Sequence, residues 1–113
     1  MNNDKRKSGR IKVHIPIRYR KLKDSDSVKE GFSISKDLGI GGIRFRITEF
    51  ISMACKLIVE VEVPNLEKPL KAISKVVWIR KTNSPNEYEV GNQFIEMSRE
   101  DKDLIAEYID GHD

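Results

Sequence analysis

Two short stretches of this sequence hold side chains whose types and spacing suit the capture of an anion. The first is Lys5-Arg6-Lys7-Ser8-Gly9-Arg10. Arginine forks grip phosphate oxygens bidentately, match the O6/N7 edge of guanine, and stack on purine faces. In an extended chain the Cα atoms of Arg6 and Arg10 stand up to ~13 Å apart, a span that can clamp opposite sides of one compact ligand. Ser8 and Gly9 favour such a flexible, non-helical path. As an isolated pattern, R-x-x-x-R is also what a solvated basic terminus produces by chance. The second stretch is Asp37-Leu38-Gly39-Ile40-Gly41-Gly42. Its carboxylate can accept hydrogen bonds from the N–H groups of a guanine. Its glycines have two readings. They supply positive φ in a turn, or their missing side chains let a ligand approach the backbone.

Catalytic chemistry has little to work with. A zinc site needs about four ligands, and two histidines and one cysteine without paired spacing do not provide them. His14 falls on the polar face of an alternating segment and His112 in the C-terminal tail, neither beside a serine or cysteine nucleophile. Cys55 precedes an apolar strand and reads as a buried, inert thiol. A phosphate-cradling G-x-x-x-x-G-K-[ST] sequence is absent. We therefore expect no enzyme, no metal and no cofactor.

The elements that must position these residues come from a chain of 113 residues, enough for one domain with a modest core. Charged residues make up 35%, against roughly 25% in average soluble domains, so the protein faces water. No apolar run approaches the ~20 residues of a membrane span, and Met1 to Lys7 leads into no signal-peptide core. One cysteine excludes an internal disulfide framework and fits a reducing compartment, so the expected location is cytoplasmic, without membrane insertion. The net charge of +3 is unevenly spread. Residues 1–23 carry nine Lys or Arg against Asp4 alone, while the remainder carries twelve basic and seventeen acidic groups. A uniformly basic nucleic-acid binder does not look like this. A small barrel gripping RNA or single-stranded DNA through the basic arm also needs exposed aromatics among the cations, and the arm has none before Tyr19.

Period-2 alternation marks six strands. Ile11, Val13, Ile15, Ile17 and Tyr19 form the first, with Pro16 on its polar face suggesting an edge or bulge. Phe32 and Ile34 mark the second, and Ile43, Phe45 and Ile47 the third. Leu57, Val59, Val61 and Val63 form the fourth. The fifth, Leu70 to Arg80, carries apolar groups on both faces, and Tyr88 to Ile95 is the sixth. The period then lengthens: Ser98 can N-cap a helix, and Leu104, Ile105, Tyr108 and Ile109 form its stripe until Gly111. Six short strands and one amphipathic helix, about 98–110, predict a mainly β fold: a six-stranded antiparallel barrel with a C-terminal helix.

Taken together, the arm and the turn resemble the PilZ family of bacterial cyclic di-GMP receptors, which pairs R-x-x-x-R with [DN]-x-S-x-x-G. Here the arm is Arg6 and Arg10, and the turn is Asp37, Gly39 and Gly42. The resemblance continues through Ile43-Arg44-Phe45, Val76-Val77-Trp78 and Val90-Gly91-Asn92-Gln93-Phe94. It implies the same barrel and helix, with residues 1–10 as a flexible arm and 11–113 as the barrel domain. It implies that Arg6 and Arg10 hold guanine edges and phosphates, that Asp37 holds a guanine N–H, and that Gly42 permits close approach. By the same resemblance Lys5 adds a phosphate contact, and Trp78 sits beside the ligand or in the core. Gly39 stands where the family has serine. Losing that hydroxyl removes about one hydrogen bond, on the order of 1 kcal/mol, so Gly39→Ser should preserve or improve binding. With no output domain in view, the resemblance implies a signalling partner, an unidentified protein target. The second reading is a protein-interaction module with weak or no nucleotide binding, which Gly39 favours.

Overall fold

The computed structural model describes residues 9–22 and 30–112. Its elements run β1 (Arg10–Ile11), β2 (Pro16–Lys21), β3 (Gly31–Gly39), β4 (Gly42–Ile47), β5 (Lys56–Val61), β6 (Leu70–Lys81), β7 (Tyr88–Met97) and α1 (Arg99–Asp110). Every paired strand is antiparallel to its neighbour. The sheet order β1-β3-β2-β5-β6-β7-β4 closes through a further β3–β4 pairing. Strands β2 to β7 thus make the expected six-stranded barrel, and the two residues of β1 lie along β3. Closure gives the short strands partners on both sides, so none of the six is left as an edge.

Inward residues of every barrel strand meet in one core: Ile17, Leu38, Phe45, Leu57, Val59, Val76 and Val90 are all buried. The helix packs against β3 and β6. Ser98 caps it by accepting from the Asp101 backbone N–H at 3.1 Å. Asp101 in turn accepts from the Lys71 N–H at 3.1 Å, which ties the first turn to β6. Ile105 and Ile109 are buried, and Leu104 and Tyr108 pack beside them, completing the predicted stripe.

The segment read as one strand from Ile11 to Tyr19 is interrupted between β1 and β2. Pro16 offers no N–H, and the side chain of Ser35 substitutes for ladder bonds at the break. Its hydroxyl accepts from the Ile15 N–H at 2.9 Å and donates to the Val13 carbonyl, while its own N–H donates to the Ile15 carbonyl at 2.9 Å. Ser35 is 1% exposed, so these bonds satisfy backbone groups that water does not reach.

Three register shifts interrupt the ladders: one leaves Ile95 extra on β7, and the other two set the facing of Asp37 and Trp78. On β3, Ser35 pairs with Phe45 and Asp37 with Arg44, leaving Lys36 as the extra residue. Without that insertion Asp37 would share the inward face of Ser35. With it, Leu38 turns inward and Asp37 outward. On β6, Val76 pairs with Asn92 and Trp78 with Gly91, leaving Val77 extra. The inward parity of Ala72, Ser74 and Val76 ends there, which is why this strand carries apolar groups on both faces. The apolar residues that mark β3 in the sequence face outward: Phe32 is 70% exposed and Ile34 54%.

Burial, with a smaller push from Glu49, raises the Tyr19 phenol to about 12 from its ordinary value of 10.0. Between those values the unfolded chain loses this proton before the folded chain does, so folding stability falls as pH rises from 10 through 12. Urea unfolding of the parent and of Tyr19→Phe across that range should diverge, with the parent falling more steeply. Parallel curves would show that Tyr19 contributes nothing to the alkaline limb.

Candidate functional site

The bulge at Lys36 sets Asp37 between two arginines. Arg10 Nη2 lies 2.6 Å from Asp37 Oδ1, and Arg10 Nε donates to the same oxygen at 3.2 Å. Arg44 Nη2 lies 2.6 Å from Oδ2. The Asp37 side chain is 13% exposed, Arg10 43% and Arg44 27%. A carboxylate has about four lone-pair sites, and three of them are engaged. Arg44 Nε is buried and finds no acceptor among the described residues.

These groups form one wall of an open cavity of about 590 Å³. Gly41 and Gly42 line it from the start of β4, and Val77, Trp78 and the Gly91–Gln93 stretch line it from β6 and β7. Trp78 is 37% exposed, so the bulge turns it to the cavity rather than the core. Its indole lies directly against Gly91, where a Cβ would fall 2.2 Å from Nε1. Arg80 sits 5.6 Å from the Trp78 ring, a cation–π spacing. The cavity thus offers guanidinium donors, a carboxylate acceptor and a flat aromatic surface. Such a set can hold a ligand carrying phosphates and a planar base that bears N–H groups.

Of the residues singled out from the sequence, Arg10, Asp37, Gly42 and Trp78 meet in this cavity. Lys5 and Arg6 lie outside the described residues. Arg44 is a site residue that sequence reasoning missed. Its signals were its place two residues beyond Gly42 and within the Ile43-Arg44-Phe45 segment of the resemblance, which the equally exposed-looking Arg46 obscured.

The glycines of the turn divide by function. None has positive φ, whereas Gly9 does, at 60°. A Cβ on Gly42 would lie 2.1 Å from the Asn92 carbonyl oxygen, so the close approach it permits here is that of β7. A Cβ on Gly41 would meet nothing within 4 Å. Gly39 is buried beneath β1 and is paired with Arg10. A Cβ there would lie 2.8 Å from the Gly9 carbonyl oxygen and 2.9 Å from Arg10 Cγ. The same carbonyl accepts from the Ile40 N–H at 3.1 Å. Gly39 therefore acts as a saddle for Arg10 on its way to Asp37. Overpacking of this kind costs about 1–3 kcal/mol, so Gly39→Ser should lift β1 and speed amide exchange at Ile40 by about tenfold or more. Unchanged exchange there would mean that β1 accommodates the serine without moving.

No group of three or more His, Cys, Asp or Glu among the described residues is placed to hold a metal, and none of their helices is long and apolar enough to cross a membrane. His14 is exposed and Cys55 half-buried, and among the described residues neither is placed in a nucleophile–base pair.

The family described as PilZ domain matches residues 4–111. Among solved structures, the Bacillus subtilis inhibitor of motility MotI/DgrA superposes with a TM-score of 0.74 at 14% identity, covering 91% of this chain and 48% of that one. YcgR from Escherichia coli, in complex with c-di-GMP, gives 0.72 at 14% identity over 91% and 43%. PlzA from Borreliella burgdorferi, also in complex with c-di-GMP, gives 0.62 at 11% identity over 97% and 55%. The chain spans about half the length of each of these three proteins. Curated proteins provide no match.

Proposed function

This chain belongs to the PilZ domain family, and on that premise we propose that it is a receptor for cyclic di-GMP rather than an enzyme. The observation that carries the reading is Asp37 held between Arg10 and Arg44 on the wall of a cavity that also exposes Trp78. In this reading a guanine donates N–H groups to Asp37, and the arginines turn from the carboxylate toward phosphate oxygens and the guanine edge. Trp78 offers its face to the second ring system. Arg6 supplies the other fork of the R-x-x-x-R arm, and Lys5 an additional phosphate contact. The first ten residues act as the arm and the rest as the barrel.

Binding draws the arm across the cavity and alters the surface offered to a protein partner, and differential affinity for the two arm positions transmits the signal. Asp37 is already paired with Arg10 in the ligand-free chain, so the ligand works against that pair. Loosening the saddle through Gly39→Ser weakens the competitor, and this supports the expectation that binding is preserved or improved. Equal amide exchange at Gly9 to Ile11 with and without saturating ligand would refute the switch.

Isothermal titration with cyclic di-GMP tests the receptor reading, with GTP and linear diguanylate as controls. Selective, saturable heat supports it. No heat at high ligand concentration favours the second reading, an interaction module in which the two arginine pairs hold Asp37 permanently.

A further inference from the structure

The outer face of β3 and β4, continuing onto the β6–β7 hairpin, sets exposed apolar side chains near a group of cations. Phe32 and Ile34 stand out from β3 while Ser33 and Ser35 take the inward side. Exposing two large apolar side chains on one strand is unfavourable in water relative to burying them. Cross-strand register sets Arg18 beside Phe32 and Pro16 beside Ile34, and the Arg18 guanidinium lies 5.9 Å from the Phe32 ring. The Ser33 hydroxyl donates to the Arg46 carbonyl at 2.5 Å, which brings β4 alongside.

From there an open cavity of about 500 Å³ runs to the hairpin, lined by Lys36, Arg44, Arg46, Arg80 and Lys81 with Glu87 and Glu89. Arg80 is spent on Glu89, and Arg44 on Asp37. Glu87 accepts from the Thr82 hydroxyl at 2.6 Å. Among the described residues, Lys36, Arg46 and Lys81 have no carboxylate within 4.0 Å. Three cations without a carboxylate partner therefore line this cavity, and of these Lys81 also lies 5.7 Å from the Tyr88 ring.

We propose that this face docks an acidic segment of a partner protein, with one or two apolar side chains seated on Phe32 and Ile34 and carboxylates meeting Lys36, Arg46 and Lys81. The cations belong to three different strands and are spread over the sheet, which suits a row of carboxylates rather than one phosphate. Closure of the barrel leaves side chains, not strand pairing, to hold the partner. The proposal deepens the receptor reading by placing the surface through which such a receptor would act, and its test is kept separate from nucleotide binding.

The probe is a synthetic glutamate-rich peptide carrying two leucines four residues apart, titrated into the full chain and followed by amide chemical shifts. Shifts are expected at residues 32–36, 46 and 80–84, with affinity falling at least about tenfold on raising salt from low to high. The double substitution Arg46→Glu, Lys81→Glu should weaken the peptide by about tenfold or more and leave both melting temperature and cyclic di-GMP titration unchanged. Phe32→Ser should weaken it independently of salt. The proposal is overturned if the peptide does not bind, if it shifts other faces, or if the charge reversal has no effect. Binding only to phosphatidylglycerol vesicles, or self-association of the chain through this face, overturns it equally. A parent protein that binds the peptide but not cyclic di-GMP refutes the receptor reading and leaves this one standing.

Discussion

Asp37→Ala is expected to weaken cyclic di-GMP binding by about 10- to 100-fold while the barrel stays folded. A hydrogen bond to a charged acceptor contributes about 1.5–3 kcal/mol, which spans that range of affinity. The loss goes beyond one bond, because Arg10 and Arg44 both take their position from this carboxylate. Without it the two guanidiniums repel each other and no longer line one wall. Stability should suffer far less. Both arginines reach solvent, and partly exposed ion pairs of this kind contribute about 0–1 kcal/mol, or a few degrees of melting temperature. Asp37→Asn separates the contributions by keeping a carbonyl acceptor and removing the charge. Titration calorimetry paired with thermal melting reads both quantities, and an Asp37→Ala protein that binds like the parent would sink the site assignment.

Gly42→Ala should produce the opposite pattern, a large loss of stability. The added methyl would lie 2.1 Å from the Asn92 carbonyl oxygen and 3.2 Å from its carbon, both backbone atoms of β7. No rotamer change relieves a clash with backbone, so β4 must separate from β7 where Gly42 faces Gln93 and Ile43 faces Asn92. That pairing helps to close the barrel. A cost of about 2–3 kcal/mol is expected, equivalent to a fall of about 10 °C or more in melting temperature. Gly41→Ala is the matched control, since nothing lies within 4 Å of its new carbon. If Gly42→Ala melts like the parent and loses only nucleotide binding, the space belongs to the ligand rather than to β7.

Much of this architecture was legible because burial leaves a period in the sequence. Ile43, Phe45 and Ile47 alternate with arginines and are buried as that pattern requires. The Leu104–Ile109 stripe is likewise a direct reading of helical period. What escaped is what breaks the period. Lys36 and Val77 are single extra residues with no compositional mark, yet they aim Asp37 and Trp78 into one cavity. Phe32 and Ile34 have the look of core residues and face outward, because Ser35 is needed inside to bond the backbone around Val13 and Ile15. Arg44 and Arg46 share one face of β4 in the sequence, and only the neighbouring strand tells them apart. The motif glycines were recognisable as a group, but whether each makes room for a ligand, for β1 or for β7 depends on chain segments distant in sequence.

Trp78 is the only tryptophan in the chain. It rests on Gly91 and lines the cavity of Arg10, Asp37 and Arg44. The indole fluorescence of the whole protein therefore originates at the candidate site, from a half-exposed ring beside a guanidinium. A planar base settling against that ring would quench or shift the emission, whereas an event on the far side of the barrel would leave it alone. The chain carries its own optical reporter, and occupancy of this cavity can be followed without a dye or tag.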